Sequence, residues 1–300
     1  MYDIIIVGSG PAGLTAALYA RRADKSVLVL EQSTLGGQVT FSPRIENYPG
    51  FVSMSGNEFI DKLVDQVIEQ GADIDLKKVI GIRDNGETKT VITEKGELEA
   101  KAVIIATGVK HRQTGLEREN ELVGHGISYC AVCDGAFYKG RKVAVLGGGN
   151  SALQEAVLLS DLAQEVYVLQ DLDFLTGEAK LVESISEKAN VKVVTGCRLT
   201  GLIGENALEG IEIERVSSGE KQNIAVDGLF VAIGLIPDND SFKAVAALDE
   251  FGYFDSDESC LTDTPGVFVA GDCRSKKIRQ ITTASADGAV AALAACRYTD

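Results

Sequence analysis

The pattern Gly8-Ser9-Gly10-Pro11-Ala12-Gly13 follows an apolar run, Ile4-Ile5-Ile6-Val7, and opens a helix-periodic stretch from about Leu14 to Ala23. A second apolar run, Ser26-Val27-Leu28-Val29-Leu30, then ends on Glu31. Strand, glycine turn, helix and strand in that order form a parallel βαβ unit, which restricts the chain to an α/β fold built on a parallel sheet. In such a turn Gly8 permits the sharp bend, Gly10 lets the backbone approach a pyrophosphate, and Gly13 lets the helix pack closely. The helix N-terminus, beginning at Pro11 and Ala12, offers free amides to phosphates, and Glu31 can accept hydrogen bonds from an adenosine ribose.

The same order returns in the second half. Lys142 to Leu146 reads as a strand, Gly147-Gly148-Gly149-Asn150-Ser151-Ala152 as the turn, a helix runs through about Leu162, and Glu165 to Leu169 is the next strand. Both halves continue into antiparallel sequence. Val79 to Arg83, Lys89 to Thr93 and Glu97 to Lys101 form a meander around Asn85-Gly86, and Leu208 to Val216 with Lys221 to Val226 form a hairpin around Ser218-Gly219. Each half then closes on an apolar strand and a glycine, Ala102 to Ala106 before Thr107-Gly108 and Leu229 to Ile233 before Gly234. The expected fold is therefore α/β, with two Rossmann-like, three-layer ββα dinucleotide-binding domains. Beyond Gly234 only one short strand, Gly266 to Ala270, and one long helix, about Thr282 to Tyr298, remain, too little for a third core. They are expected to return to the first sheet, giving a discontinuous first domain of residues 1–112 and 242–300 with a second domain, 113–241, inserted into it. A length of 300 residues suits two such cores.

Composition removes several other classes. With 29 Lys+Arg against 44 Asp+Glu the net charge is -15, a field that repels a phosphate backbone, so no nucleic-acid partner is expected. The uncharged stretch from Ile4 to Ala20 is interrupted by the glycine pattern and has no basic residue before it, so neither a membrane span nor a signal peptide is expected. Six irregularly spaced cysteines do not make a secreted disulfide framework, which points to a reducing, cytoplasmic setting.

Only Cys130 and Cys133 are closely spaced, in Cys130-Ala131-Val132-Cys133-Asp134-Gly135. The segment admits a zinc half-site, a redox dithiol or two unrelated buried cysteines. Zinc needs more ligands, and the chain has no second close cysteine pair and only His111 and His125. A dithiol needs an acid to protonate a leaving thiolate, and Asp134 adjoins the pair, so the redox reading is preferred and no metal is expected. Near the C-terminus, Gly271-Asp272 puts a carboxylate at a strand end. Arg279-Gln280-Ile281-Thr282-Thr283 opens a helix whose N-terminus suits a ring that becomes anionic on reduction. Cys197, Cys260, Cys273 and Cys296 are read as small apolar fillers.

Together these segments resemble the low-molecular-weight thioredoxin reductases over essentially the whole chain. The resemblance rests on Gly8 to Gly13, Gly36-Gly37-Gln38, Glu46-Asn47-Tyr48-Pro49-Gly50, Ala106-Thr107-Gly108, Cys130 to Gly135, Gly147 to Ala152, Gly271-Asp272 and Arg279-Gln280. It implies FAD along the first domain, with Gln38 and Asn47 near the flavin and Gln280 and the final helix, from Ile281, at its pyrimidine side. It also implies Cys130 and Cys133 as the active disulfide, Asp134 as its acid/base, a homodimer, and a small thioredoxin-like protein as substrate.

The chain departs from that family at the electron donor. NADPH-using relatives carry a His-Arg-Arg triplet after the second strand of the inserted domain, where guanidinium groups clamp the 2′-phosphate. Here the corresponding sequence is Leu169-Gln170-Asp171-Leu172-Asp173-Phe174. Acids in place of cations argue against NADPH. The intact turn with Gly147, Gly149, Asn150, Ser151 and Ala152 keeps NADH open, with Asp171 on its ribose. Reduced ferredoxin, used by a branch of the family that has abandoned pyridine nucleotides, is the alternative donor. An oxygen-using dithiol oxidase and a flavin redox sensor would keep the same residues.

Overall fold

The computed structural model describes residues 1–42 and 45–300. From the N-terminus the chain forms β1 (Tyr2–Val7), α1 (Pro11–Arg22), β2 (Val27–Glu31), α2 (Gly56–Glu69), β3 (Asp73–Leu76), β4 (Val79–Asp84), β5 (Lys89–Thr93), β6 (Gly96–Ile105) and β7 (Val109–His111). It continues through α3 (Glu119–Leu122), β8 (Ile127–Ser128), α4 (Ala131–Asp134), β9 (Lys142–Leu146), α5 (Asn150–Ser160), β10 (Glu165–Leu169), α6 (Ala179–Ser186) and β11 (Val191–Val194). Then come β12 (Cys197–Ile203), β13 (Gly210–Arg215), β14 (Lys221–Ile224), β15 (Gly228–Val231), β16 (Leu235–Pro237), β17 (Val267–Val269) and α7 (Ile281–Thr299). Two compact units result, one of Met1–Lys110 with Ile236–Asp300 and one of His111–Leu235.

In the first unit the parallel strands run β3-β2-β1-β6, with β17 on the other side of β6 and the antiparallel β5 and β4 extending from its N-terminal half. Parallel strands covered on both faces must be apolar throughout, and Ile4, Ile5 and Ile6 are fully buried. The last strand of the meander, Glu97 to Lys101, and the strand Ala102 to Ala106, separate in sequence reasoning, fall in one ten-residue β6. Its first half pairs with β5 and its second half lies between β1 and β17.

The helix α7 is rich in alanine, a strong helix former, and its small side chains let it lie close against α1. A Cβ added at Gly288 would stand 2.2 Å from the Ala12 carbonyl oxygen. The sequence reading passes over α2, although Ser55 and Glu58 form a reciprocal capping box at its start.

The second unit repeats the order as β11-β10-β9-β15-β8, all parallel, with β12, β13 and β14 as a separate antiparallel sheet. The expected hairpin thus gains a third strand, β12. The fifth parallel strand comes from the chain end in the first unit and from before the glycine turn in the second. The return crossing falls at Leu235/Ile236 rather than at the expected 241/242. Residues after it belong to the first unit, where Asn239 accepts from Thr107 Oγ1 and donates to the carbonyls of Gly252 and Cys273. No helix among the described residues is long and apolar enough to cross a membrane.

Candidate active site

In the first unit the carboxyl ends of β1, β2, β6 and β17 gather the residues singled out in sequence. Gly8 has φ 108°, and a Cβ there would stand 2.3 Å from the Ala106 carbonyl oxygen. At Gly13 it would stand 1.9 Å from the Gly8 carbonyl oxygen, so both positions admit only glycine. Gly10 faces open space instead, with nothing nearer its missing Cβ than the Gly36 carbonyl oxygen at 3.9 Å. Such room at the N-terminus of α1, with its free amides, could hold a pyrophosphate.

Ser9, which sequence reasoning passed over, is fully buried and ties the turn together. Its amide and hydroxyl donate to Glu31 Oε2 at 3.1 and 2.8 Å, while Glu31 Oε1 accepts from the amides of Gln32 and Ser33. The Gly36 amide donates in turn to the Ser9 carbonyl and hydroxyl oxygens. Glu31 is therefore held rigidly at the end of β2. Gly37 and Gln38 follow in an exposed 3₁₀ turn.

At the other side, Ala106, Thr107 and Gly108 leave the end of β6. Asn47 Nδ2 donates to Gln280 Oε1 at 3.2 Å, joining two residues far apart in sequence. Gln280 is the N-cap of α7, and Ile281 is its first residue. Arg279 stacks on the Tyr253 ring with 4.3 Å to the centroid and donates to the Lys276 carbonyl.

Asp272 follows Gly271, whose missing Cβ would stand 2.8 Å from that of Ala12. Burial pushes the Asp272 carboxyl up to about 6, against the nearby charges of Lys276 and Arg279. Its Oδ1 is buried with no hydrogen-bond partner among the described residues. A buried acceptor left unmet costs free energy that a ligand hydroxyl would restore. This oxygen, the open face of Gly10 and the N-terminus of α7 together fit a flavin dinucleotide.

A further buried group underlies this turn. Asp287 on α7 accepts from the Gly271 amide at 3.0 Å, from Arg274 Nε and Nη2 at 2.8 and 2.9 Å, and from Lys276 Nζ at 2.9 Å. Burial works against its charge, but the hydrogen bonds from Arg274 and Lys276 hold it below the usual carboxylate range.

In the second unit Cys130 and Cys133 form a disulfide across the start of α4. The segment leaves β8 at the carboxyl edge of its sheet, and Val132 between the cysteines is exposed. Ser128 Oγ donates to Asp134 Oδ2 at 2.6 Å and accepts from the Cys130 amide at 3.1 Å. Asp134 Oδ1 is buried without a partner among the described residues. Burial raises the Asp134 carboxyl above its ordinary range, and the Ser128 bond opposes the rise. A partly buried acid that favours its neutral form is suited to protonating a thiolate. Among the described residues no group of three or more His, Cys, Asp or Glu could hold a metal ion.

The second glycine turn lies at the carboxyl ends of β9 and β10. Gly147 has φ 132°, and a Cβ there would stand 2.5 Å from the Ala232 carbonyl oxygen. Gly149 keeps space before it, with Thr176 Oγ1 at 3.7 Å from its missing Cβ, while Ala152 is fully buried. Asn150 and Glu178 exchange hydrogen bonds, and the amides of Thr176 and Gly177 donate to the Gly148 carbonyl.

Strand register makes one correspondence plain. Val7 pairs with Leu30 just before Glu31, and Leu146 pairs with Leu169 just before Gln170. Gln170, rather than Asp171, occupies the position that Glu31 holds in the first unit. It is buried against the turn, with Cδ 2.7 Å from where a Gly148 Cβ would be. Asp171 comes next and is exposed.

The pattern that defines the pyridine nucleotide-disulphide oxidoreductases matches residues 2–288. The chain belongs to that family. Within it, the chain is 40% identical over 304 residues to the thioredoxin reductase of Listeria innocua, covering 100% of this chain and 94% of the relative. It is also 40% identical over 297 residues to a 34.2 kDa protein of the rubredoxin operon of Clostridium pasteurianum, covering 99% and 96%. Among solved structures, the thioredoxin reductase of Streptococcus pyogenes superposes with a TM-score of 0.96 at 38% identity, covering 99% and 98%. These likenesses make the chain an oxidoreductase, a flavoprotein disulfide reductase of the low-molecular-weight thioredoxin reductase type.

Proposed function

We propose that the chain reduces the disulfide of a thioredoxin-like protein through Cys130 and Cys133, drawing electrons by way of FAD from a donor other than NADPH. The observation that carries this reading is the Cys130–Cys133 disulfide with the buried, partly unmet carboxyl of Asp134 beside it. The glycine turn, Glu31, Asp272 and the residues from Arg279 to Ile281 would hold the FAD. When bound, FAD supplies the two-electron capacity needed to link a donor to a disulfide.

The exchange itself follows from the residues present. Reduced Cys130 attacks one sulfur of the substrate disulfide as a thiolate, so that a Cys130–substrate bond forms and the substrate S–S bond breaks. The departing substrate thiolate takes the proton that Asp134 holds, with Ser128 fixing the other carboxyl oxygen. Cys133 then attacks Cys130 Sγ as a thiolate, which reforms the internal disulfide and releases the second substrate sulfur. Burial raises the Asp134 carboxyl above its ordinary range, which favours the protonated form that this step draws on.

NADPH is disfavoured because residues 170–178 contain Asp171, Asp173 and Glu178 and no cation. NADH lacks the 2′-phosphate, and the open space at Gly149 supports it. A second observation favours reduced ferredoxin: Gln170 stands where a ribose-binding carboxylate is expected and folds onto Gly148. Anaerobic mixing of the purified flavoprotein with NADPH, NADH and reduced ferredoxin, each followed by flavin bleaching and then by thioredoxin reduction, tests the whole reading. Efficient turnover with NADPH overturns the donor assignment. Failure to reduce any thioredoxin with all three donors overturns the function.

A further inference from the structure

The turn that follows β17 is held from behind by α7. Gly271, just before Asp272, donates its amide to Asp287 Oδ2 at 3.0 Å. Beyond Asp272, Arg274 donates to both oxygens of the same carboxylate at 2.8 and 2.9 Å, and Lys276 donates to Oδ2 at 2.9 Å. The chain on either side of Asp272 is thus drawn to one buried group. The Cys273 carbonyl is held from elsewhere, accepting from the Phe254 amide and from Asn239 Nδ2, each at 3.0 Å. Within this turn the buried side-chain oxygen left unmet among the described residues is Asp272 Oδ1.

The anchor is itself fixed to the other end of the dinucleotide site. Asp287 precedes Gly288, where α7 lies so close to the first turn of α1 that a Cβ would stand 2.2 Å from the Ala12 carbonyl oxygen. Gly271 approaches the same residue, with the place of its missing Cβ 2.8 Å from the Ala12 Cβ. One carboxylate therefore sets Asp272 against the N-terminus of α1, whose free amides suit phosphate. A ligand that reaches both ends gains most when the two are held at the right spacing beforehand. Asp287 is buried and its charge is met by Arg274 and Lys276, so it acts on such a ligand through the turn it holds.

We propose that Asp287 is a positioning residue for the flavin dinucleotide, fixing the Asp272 carboxyl at the distance from the N-terminus of α1 that the cofactor requires. The inference rests on the reading of Asp272 as the acceptor for a cofactor hydroxyl. It also accounts for an acid and two cations being kept out of water behind the site, where apolar residues of similar volume would stabilise the fold as well.

The test follows the rate at which FAD leaves the purified holoprotein on dilution, at one temperature below the unfolding of every variant. Asp287→Asn keeps the side-chain volume but loses the charge that gathers the donors. It should speed release by about ten- to hundredfold, the loss of a hydrogen bond to a charged group. Asp272→Ala should speed release by a similar factor. With both changes together, release should be at most about twofold faster than with Asp272→Ala alone, because Asp287 acts through Asp272. Thermal stability separates positioning from mere support. In the triple variant Asp287→Leu, Arg274→Met, Lys276→Met no charge is buried alone, so Tm should return toward that of the unmodified protein while release stays fast. This variant carries the test if Asp287→Asn does not fold. Equal acceleration by Asp287→Asn with and without Asp272, or a triple variant that releases FAD at the unmodified rate, overturns the inference and leaves the FAD site standing. An unmodified protein that takes up no FAD, or an Asp272→Ala variant that releases it no faster, overturns the reading of the site and this inference with it.

Discussion

Replacing Asp287 with alanine strips the counter-charge from two cations that the first unit holds out of water. The Arg274 side chain is 3% exposed and that of Lys276 is 6% exposed. Both donate to the same carboxylate, Arg274 through two nitrogens at 2.8 and 2.9 Å and Lys276 at 2.9 Å. Removing one partner of a buried ion pair costs about 3–5 kcal/mol, because the remaining charge is left uncompensated. The Gly271 amide, which donates to Asp287 at 3.0 Å, loses its partner as well. For a domain of this size each kcal/mol lowers Tm by roughly 2–4 °C, so a fall of roughly 6–20 °C is expected. Thermal unfolding followed by circular dichroism, with flavin release as a second signal, measures it. Replacing Asp287, Arg274 and Lys276 together by apolar residues of similar volume should cost much less than the single change, since no charge then stays buried alone. Because Asp287 is held below the usual carboxylate range, its stabilising effect is complete above the unfolded value near ~3.9 and is lost as pH falls through the lower folded value. The difference between wild type and variant should thus shrink only in acid. A Tm drop below about 3 °C at neutral pH, or a triple variant as unstable as the single one, would refute the reasoning.

Asp134→Asn should slow disulfide turnover by about 10²–10⁴-fold with flavin content unchanged, measured by thioredoxin reduction and by the visible absorbance of the purified protein. Gly13→Ala should yield protein that retains little FAD, because its new Cβ would stand 1.9 Å from the Gly8 carbonyl oxygen; full flavin occupancy would show that the turn has another role. Asp171→Arg combined with Leu172→Arg should lower the KM for NADPH by about tenfold or more, since guanidinium groups then replace an acid beside the 2′-phosphate. If NADPH use is unchanged in that variant, the second turn takes no part in electron supply.

Much of the architecture could be read from local pattern. A glycine turn between an apolar run and a helical period is a short-range signal, and its repetition at Gly147 revealed the duplicated domain. The Cys130–Cys133 spacing and the adjoining Asp134 were equally local. The helix α2 is legible in principle, from the capping pair Ser55 and Glu58 and from Phe59, Ile60, Leu63, Val64, Val67 and Ile68 at helical spacing, although the sequence reading above passes over it. The sequence reading divides β6 in two, whereas the structure keeps one strand that changes pairing partner midway, from β5 to β1, and continuity of that kind leaves no mark in the sequence.

What the tertiary structure decided concerns the state of individual polar groups. Glu155 reads as a surface residue on α5, and only folding buries its Oε2 without a hydrogen-bond partner among the described residues. Asp287 reads as a lone acid in an alanine-rich helix, and only folding brings Arg274, Lys276 and the Gly271 amide to it. Pairing of β9 with β10 put Gln170, instead of Asp171, opposite Glu31 in the repeat. Periodicity records which side of an element faces the core, because hydrophobic burial acts on every residue of that side alike. The charge of a carboxyl depends on the few atoms that reach it from elsewhere in the chain, and those are fixed only when the distant elements have packed.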